Sequence, residues 1–183
     1  VEIQKLSYWY VNQTWATEYS KGRVFCGGDA VHRHPPSSGL GSNTCMQDAF
    51  NLGWKLAYAV KGWAAPSLLD SYTTERAPVG KQIVARANQS RFDYKYLKEV
   101  FGFDQGVTTQ KQMLERIFAE DEQGAEIRQK LFEALEIKNF EFNAQGVELN
   151  QRYSSNTVIA ESEPESGACC AGCRPGSSPS RCR

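Results

Sequence analysis

The chain has 183 residues, with 21 Lys and Arg against 21 Asp and Glu, a length that suits about one domain. Zero formal charge gives no electrostatic case for nucleic acid or an anionic membrane surface as partner. No run approaches about eighteen apolar residues, so no transmembrane helix is expected, and no basic start followed by an apolar run predicts a leader.

Residues 1–20 carry an aromatic and β-branched run: Ile3, Leu6, Tyr8, Tyr10, Val11, Trp15 and Tyr19. Ile3 is out of phase with Leu6, Tyr8 and Tyr10, which predicts one strand or a bent pair. The chain opens at Val1 in what already reads as mid-strand, so the expectation is the C-terminal part of a longer protein. Lys21-Gly22 predicts a turn. Residues 23–28 predict a second strand, with Val24 to Cys26 buried. It ends at Gly27-Gly28-Asp29, where glycine lets the backbone turn tightly and approach a ligand.

A helix is predicted over 43–61, capped by Ser42 or Asn43 and stopped by Gly62. Met46, Ala49, Phe50, Gly53, Ala57 and Val60 fall on one face, with Gln47, Asn51 and Lys55 on another. Gly53 costs about 1 kcal/mol against Ala in mid-helix, which predicts a close packing partner there. A further helix is predicted from about Ser67 into the eighties, opening at Pro66 and kinked or split by Pro78. Glu75-Arg76 reads as a structural ion pair on it. Shorter helices are predicted near 109–120 and 124–136, and strand, turn and strand over 140–153. The last seventeen residues, 167–183, hold four of the six cysteines and no aromatic or large aliphatic residue. Such a stretch buries too little apolar surface to offset its ordering entropy. The domain reading is 1–105, then an extension over 106–160, then a disordered or aberrant tail over 161–183. The fold class expected is α/β, strands over 1–28 followed by helices. Cys26 and Cys45 read as free thiols of a reducing, cytoplasmic setting.

The segment from Gly28 to Asn43 carries the chemistry. Asp29, at a strand end, suits hydrogen bonds from sugar-alcohol hydroxyls. Pro36 and its neighbour Pro35 stiffen the loop. Gly39, Leu40 and Gly41 lead into the helix, and the two glycines keep side chains out of a ligand's path. Backbone N–H groups at Gly41, Ser42 and Asn43 would face an acceptor that becomes negative. Reduced flavin carries such charge at its N1/C2-oxygen edge, so the arrangement suits FAD better than a phosphate. His32 and His34 lack a carboxylate at ligand spacing, and no metal is expected. The aromatics from Tyr8 to Trp15 read either as packing or as the lining of a pocket.

The run from Gly22 to Ala57, with His-Arg-His-Pro-Pro at 32–36, resembles the second FAD fingerprint of single-component flavin aromatic monooxygenases. Leu-Leu-Asp-Ser-Tyr-Thr-Thr-Glu-Arg-Ala-Pro-Val at 68–79 and 143–153 are similar to the phenol and 2,4-dichlorophenol hydroxylase branch. The resemblance implies the C-terminal part of a p-hydroxybenzoate-hydroxylase-like FAD-binding fold. It implies Asp29 on the ribityl hydroxyls, Pro36 beside the ring, and the amides of Gly41, Ser42 and Asn43 at the pyrimidine end. It also implies NADPH and O₂ as co-substrates and a phenol hydroxylated ortho to its oxygen. A homodimer of the full-length protein is compatible with it. The first fingerprint, Gly-x-Gly-x-x-Gly, follows no strand here. This chain alone is therefore not expected to hold FAD firmly. Two other readings stay open: a reductase or halogenase of the same fold, and a non-catalytic truncated remnant.

Overall fold

The computed structural model describes residues 5–8, 10–143 and 151–159. They divide into two compact units, Val1–Ala85 and Arg86–Arg183.

In the first unit, β1 (Thr14–Trp15) pairs antiparallel with β4 (His32–Arg33), with Trp15 opposite His32. β2 (Ser20–Lys21) pairs antiparallel with β3 (Val24–Phe25). Gly22, at φ 60°, supplies the left-handed position that a twist-matched two-residue hairpin needs. Strand structure over 10–19 is confined to Thr14–Trp15, shorter than the aromatic run suggests. The expected buried strand at Val24 to Cys26 is corrected as well. Val24 is 65% exposed and Cys26 is exposed, while Phe25 turns inward onto Tyr72, with ring centroids 6.3 Å apart. Side chains alternate along a strand, so Val24 and Cys26 share the uncovered face of this hairpin. The core here is Tyr19, Val31 and Tyr72, with Ala16, Phe25, Leu52 and Ala77 packed against it.

α1 spans Leu40–Val60, so it opens three residues before the predicted start. It ends at Lys61 and Gly62, the latter at φ 70°. Gly62 donates to the Ala59 carbonyl at 3.2 Å and Trp63 to the Tyr58 carbonyl at 2.9 Å, the paired bonds of a glycine-terminated helix.

The orientation of α1 within this unit reverses the expectation. Met46, Phe50 and Val60 are 62%, 78% and 85% exposed. A Cβ built on Gly53 meets nothing within 4 Å among the described residues, so the expected close partner is not there. The buried stripe is instead Leu40, Thr44, Asp48, Asn51 and Lys55. It is mostly polar because the facing helix is polar too. That helix, α2 (Ser71–Phe92), follows a 3-10 turn at Pro66–Asp70 and turns Ser71, Glu75 and Arg76 inward. α2 runs unbroken through Pro78, so of the expected kink or split the split does not occur. Proline removes one helical hydrogen bond, and the buried Tyr72, Val79, Ile83 and Val84 hold the helix on either side of it.

The second unit contains α3 (Tyr94–Phe101), which the sequence did not reveal, then α4 (Gln110–Ile117) and α5 (Glu122–Asn139). Thr109 and Gln112 cap α4 reciprocally, and Asp121 accepts from Gly124 N–H at 2.7 Å to start α5. Val100, Ile127 and Ala134 form the core, with Leu97, Ile117 and Leu131 against them. The Lys138 ammonium is buried. It donates to the Ser90 carbonyl at 2.8 Å, pairs with Glu141 and sits 3.3 Å from the Tyr94 ring centroid. Residues 140–143 and 151–153 hold no strand. The rest of the expected strand pair at 140–153, and the cysteine-rich tail over 167–183, lie outside the described residues.

Candidate functional site

The loop between β3 and α1 is fixed by glycine at its root. Gly28 is buried at φ 62°, a backbone region that L side chains rarely enter. A Cβ there would also stand 2.9 Å from Cys45 Sγ. The Gly28 N–H donates to Asp48 Oδ2 at 2.9 Å. A 3-10 turn at Gly28–Ala30 then presents Asp29 at the surface, with Oδ1 3.9 Å from Cys45 Sγ in the second turn of α1. Burial and the neighbouring Asp29 carboxylate push the Cys45 thiol up from its ordinary value. The Asp29 carbonyl accepts from Arg33 Nε at 2.9 Å.

Pro36 is exposed at the centre of a three-residue turn, closed by Ser37 N–H to the Pro35 carbonyl at 2.8 Å. Ser38 and Gly39 follow at φ 64° and 63°, two successive left-handed residues. Glycine adopts this freely; for Ser38 it stores strain beside the helix opening.

Because α1 opens at Leu40, its N–H groups without a helical partner are those of Leu40, Gly41 and Ser42. Asn43 is the first residue with a carbonyl four positions back, that of Gly39. Its side-chain Nδ2 also donates to the Gly39 carbonyl at 2.9 Å, so it secures the turn rather than capping the helix. The predicted Ser42 or Asn43 cap is thus replaced by a left-handed Gly39 with no side-chain cap bond. A Cβ on Gly39 would meet nothing within 4 Å, and one on Gly41 would meet His34 Cε1 alone, at 3.9 Å. The space over the first turn of α1 is open, with an exposed carboxylate, three forward-facing amides and no obstructing side chain. That combination fits a polar, partly anionic planar group. No cluster of three His, Cys, Asp or Glu able to hold a metal occurs among the described residues.

Beneath this surface lies a charged network that the sequence did not bring out. Asp48 is 1% exposed. It accepts from His32 Nε2 at 2.8 Å and Arg76 Nε at 2.7 Å, besides Gly28 N–H. Burial pushes the Asp48 carboxyl up, but the bonds from His32, Gly28 and Arg76 outweigh it and hold it below its ordinary value. About two turns along α1, Lys55 Nζ donates to Glu75 Oε2 at 2.6 Å and to Ser71 Oγ at 2.7 Å. Asn51 Nδ2 donates to the same Glu75 oxygen at 2.8 Å. Glu75 and Arg76 are structural ion-pair residues, but where a pair within α2 was expected, Glu75 pairs with Lys55 and Arg76 with Asp48, both across on α1. The signal available in the sequence was the spacing of Thr44, Asp48, Asn51 and Lys55 along one helical stripe. Of the early aromatics, Tyr8 and Tyr10 are exposed, and Trp15 lies 5.7 Å from the Lys81 ammonium.

Residues 1–87 match the FAD binding domain family. The chain is 46% identical over 168 residues to 2,4-dichlorophenol 6-monooxygenase of Cupriavidus pinatubonensis, covering 90% of this chain and 28% of that protein. It is 49% identical over 166 residues to phenol 2-monooxygenase of a Pseudomonas species, covering 89% of this chain and 27% of that one. It thus spans little more than a quarter of these relatives. The crystal structure of the flavin-dependent monooxygenase PieE, in complex with FAD and substrate, superposes with a TM-score of 0.79 at 42% identity. That match covers 86% of this chain and 28% of PieE. Residues 1–87 are thus similar to the FAD binding domain family, and the fold of the chain is a segment of the FAD-binding flavin monooxygenase fold.

Proposed function

We propose that this chain is the flavin-facing segment of an FAD-dependent monooxygenase that hydroxylates a phenolic ring ortho to its oxygen, with NAD(P)H and O₂ as co-substrates. The observation that carries the reading is the exposed Asp29 carboxylate beside the glycine-lined opening of α1. Asp29 would hold the ribityl hydroxyls. Pro36 would lie against the ring. The amides of Leu40, Gly41 and Ser42, with Gly39 leading in and Asn43 securing the turn, would stabilise negative charge at the pyrimidine edge. FAD, when bound, supplies the redox chemistry that activates O₂. The protein's own contribution here is to orient the cofactor and to place a positive backbone field where charge develops. Cys26 and Cys45, free thiols among the described residues, suit a reducing, cytoplasmic setting. No helix among the described residues is long and apolar enough to cross a membrane. A homodimer belongs to the same proposal.

The test is a chimera. This chain replaces the stretch that it matches in the Pseudomonas phenol 2-monooxygenase, so that the remaining parts of the cofactor site come from that enzyme. The expected result is a yellow holoprotein that converts phenol to catechol with NADPH and O₂. Asp29→Ala should weaken FAD binding about tenfold to a hundredfold, the effect of losing hydrogen bonds to a charged group. An unchanged FAD affinity in the Asp29→Ala chimera would remove Asp29 from the site.

A further inference from the structure

We propose that Asp48 is the positioning residue of the cofactor loop, setting where Asp29 stands without touching the flavin itself. The proposal rests on the flavin reading above and adds a residue to it.

The geometry gives Asp48 three tasks at once. Its Oδ2 takes the Gly28 N–H at 2.9 Å and His32 Nε2 at 2.8 Å, and its Oδ1 takes Arg76 Nε at 2.7 Å. Gly28 immediately precedes Asp29, and His32 lies three residues beyond it, in β4. One carboxylate therefore grips the 28–32 loop at both ends and ties it to α1, while Arg76 ties that carboxylate to α2. His32 Nδ1 is buried with no hydrogen-bond partner, so the single proton of a neutral ring belongs on Nε2, facing Asp48. Cys45 fills the other side of Gly28, so the loop root is held from both directions.

An ionised carboxylate uses both oxygens as acceptors. An amide of the same shape offers one acceptor and two donors, and its N–H groups would oppose donors from Gly28, His32 or Arg76. Asp48→Asn thus keeps the volume but releases part of the grip. The loop then samples other positions, and cofactor binding is weakened by the fraction of time Asp29 is misplaced.

In the chimera described above, Asp48→Asn should raise the FAD dissociation constant about tenfold. It should also increase the NADPH consumed per catechol formed, because a misplaced ring wastes reducing equivalents. Glu75→Gln is the control. It disturbs an equally buried ion pair on the same helix seam, away from the loop. It should lower the melting temperature while leaving FAD affinity and coupling at the parent's values. An Asp48→Asn chimera with the parent's FAD affinity overturns the proposal. So does a Glu75→Gln chimera that loses flavin equally, since the effect would then be general destabilisation. If the parent chimera takes up no flavin, the functional reading fails, and amide exchange on the 183-residue chain decides the positioning claim. Exchange at Gly28 should quicken about tenfold in Asp48→Asn while Ala57, in the last turns of α1, is unaffected. Unchanged Gly28 exchange overturns it.

Discussion

Glu75→Ala should destabilise the chain by about 3–5 kcal/mol. The cause is the charge left behind. Lys55 is 0% exposed, and its ammonium is held by Glu75 and Ser71. Without the Glu75 carboxylate it must stay charged in a desolvated seam or lose its proton, and both are costly. Asn51, which donates to the same oxygen, loses its partner too. The pair itself is a different matter. Its mutual attraction only offsets the cost of removing both charges from water. Lys55→Met combined with Glu75→Leu should therefore recover most or all of the stability, even though the single variant is severely impaired. Urea unfolding of the parent, the single and the double variants checks this. A double variant as unstable as Glu75→Ala would mean that the pair contributes net stability of its own.

Gly80→Ala comes second, and its cause is steric. A Cβ at Gly80 would clash with Tyr19 Oη and stand 3.2 Å from His32 Cδ2. Tyr19 is 1% exposed and wedged against Tyr72, so the ring has little room to retreat. Overpacking of this kind costs about 1–3 kcal/mol. The same contact makes a sharper prediction. Tyr19 Oη is buried with no hydrogen-bond partner, and burial pushes its pKa well above the ordinary phenol range. Tyr19→Phe removes a desolvated hydroxyl that nothing satisfies, so it should stabilise the parent by about 1 kcal/mol. It should also rescue Gly80→Ala, because the clashing atom is gone. Thermal melts of the four proteins give the coupling directly. Additive effects would place the strain elsewhere.

The sequence was legible where local chemistry is strong. Gly62 stopped α1 as expected, and Pro66 opened a helical turn, because both act within a few residues. The close placement of Asp29 and the helix opening was legible too, since a short loop leaves little freedom. The helix start was missed by three residues because Ser42 and Asn43 are good caps in isolation, whereas the left-handed pair Ser38–Gly39 turns the chain sooner. α3 was missed because Gly102 and Asp93 bound a stretch of only eight residues. The deeper miss was the direction of α1. Periodicity sorts residues into faces but does not say which face is covered. Met46 and Phe50 lost to Asp48 and Lys55 because α2 offers Arg76 and Glu75 as partners, and no one-dimensional pattern carries that pairing.

Gly41→Leu in the chimera puts the account's main statement, that the first turn of α1 faces the isoalloxazine, to its plainest test. The position is open, and leucine is a better helix residue than glycine by close to 1 kcal/mol, so the flavin-free protein should melt no lower than its parent. FAD affinity should nonetheless fall about a hundredfold, because the new side chain occupies the space over the amides. A Gly41→Leu protein that takes up FAD as tightly as the parent would contradict the assignment.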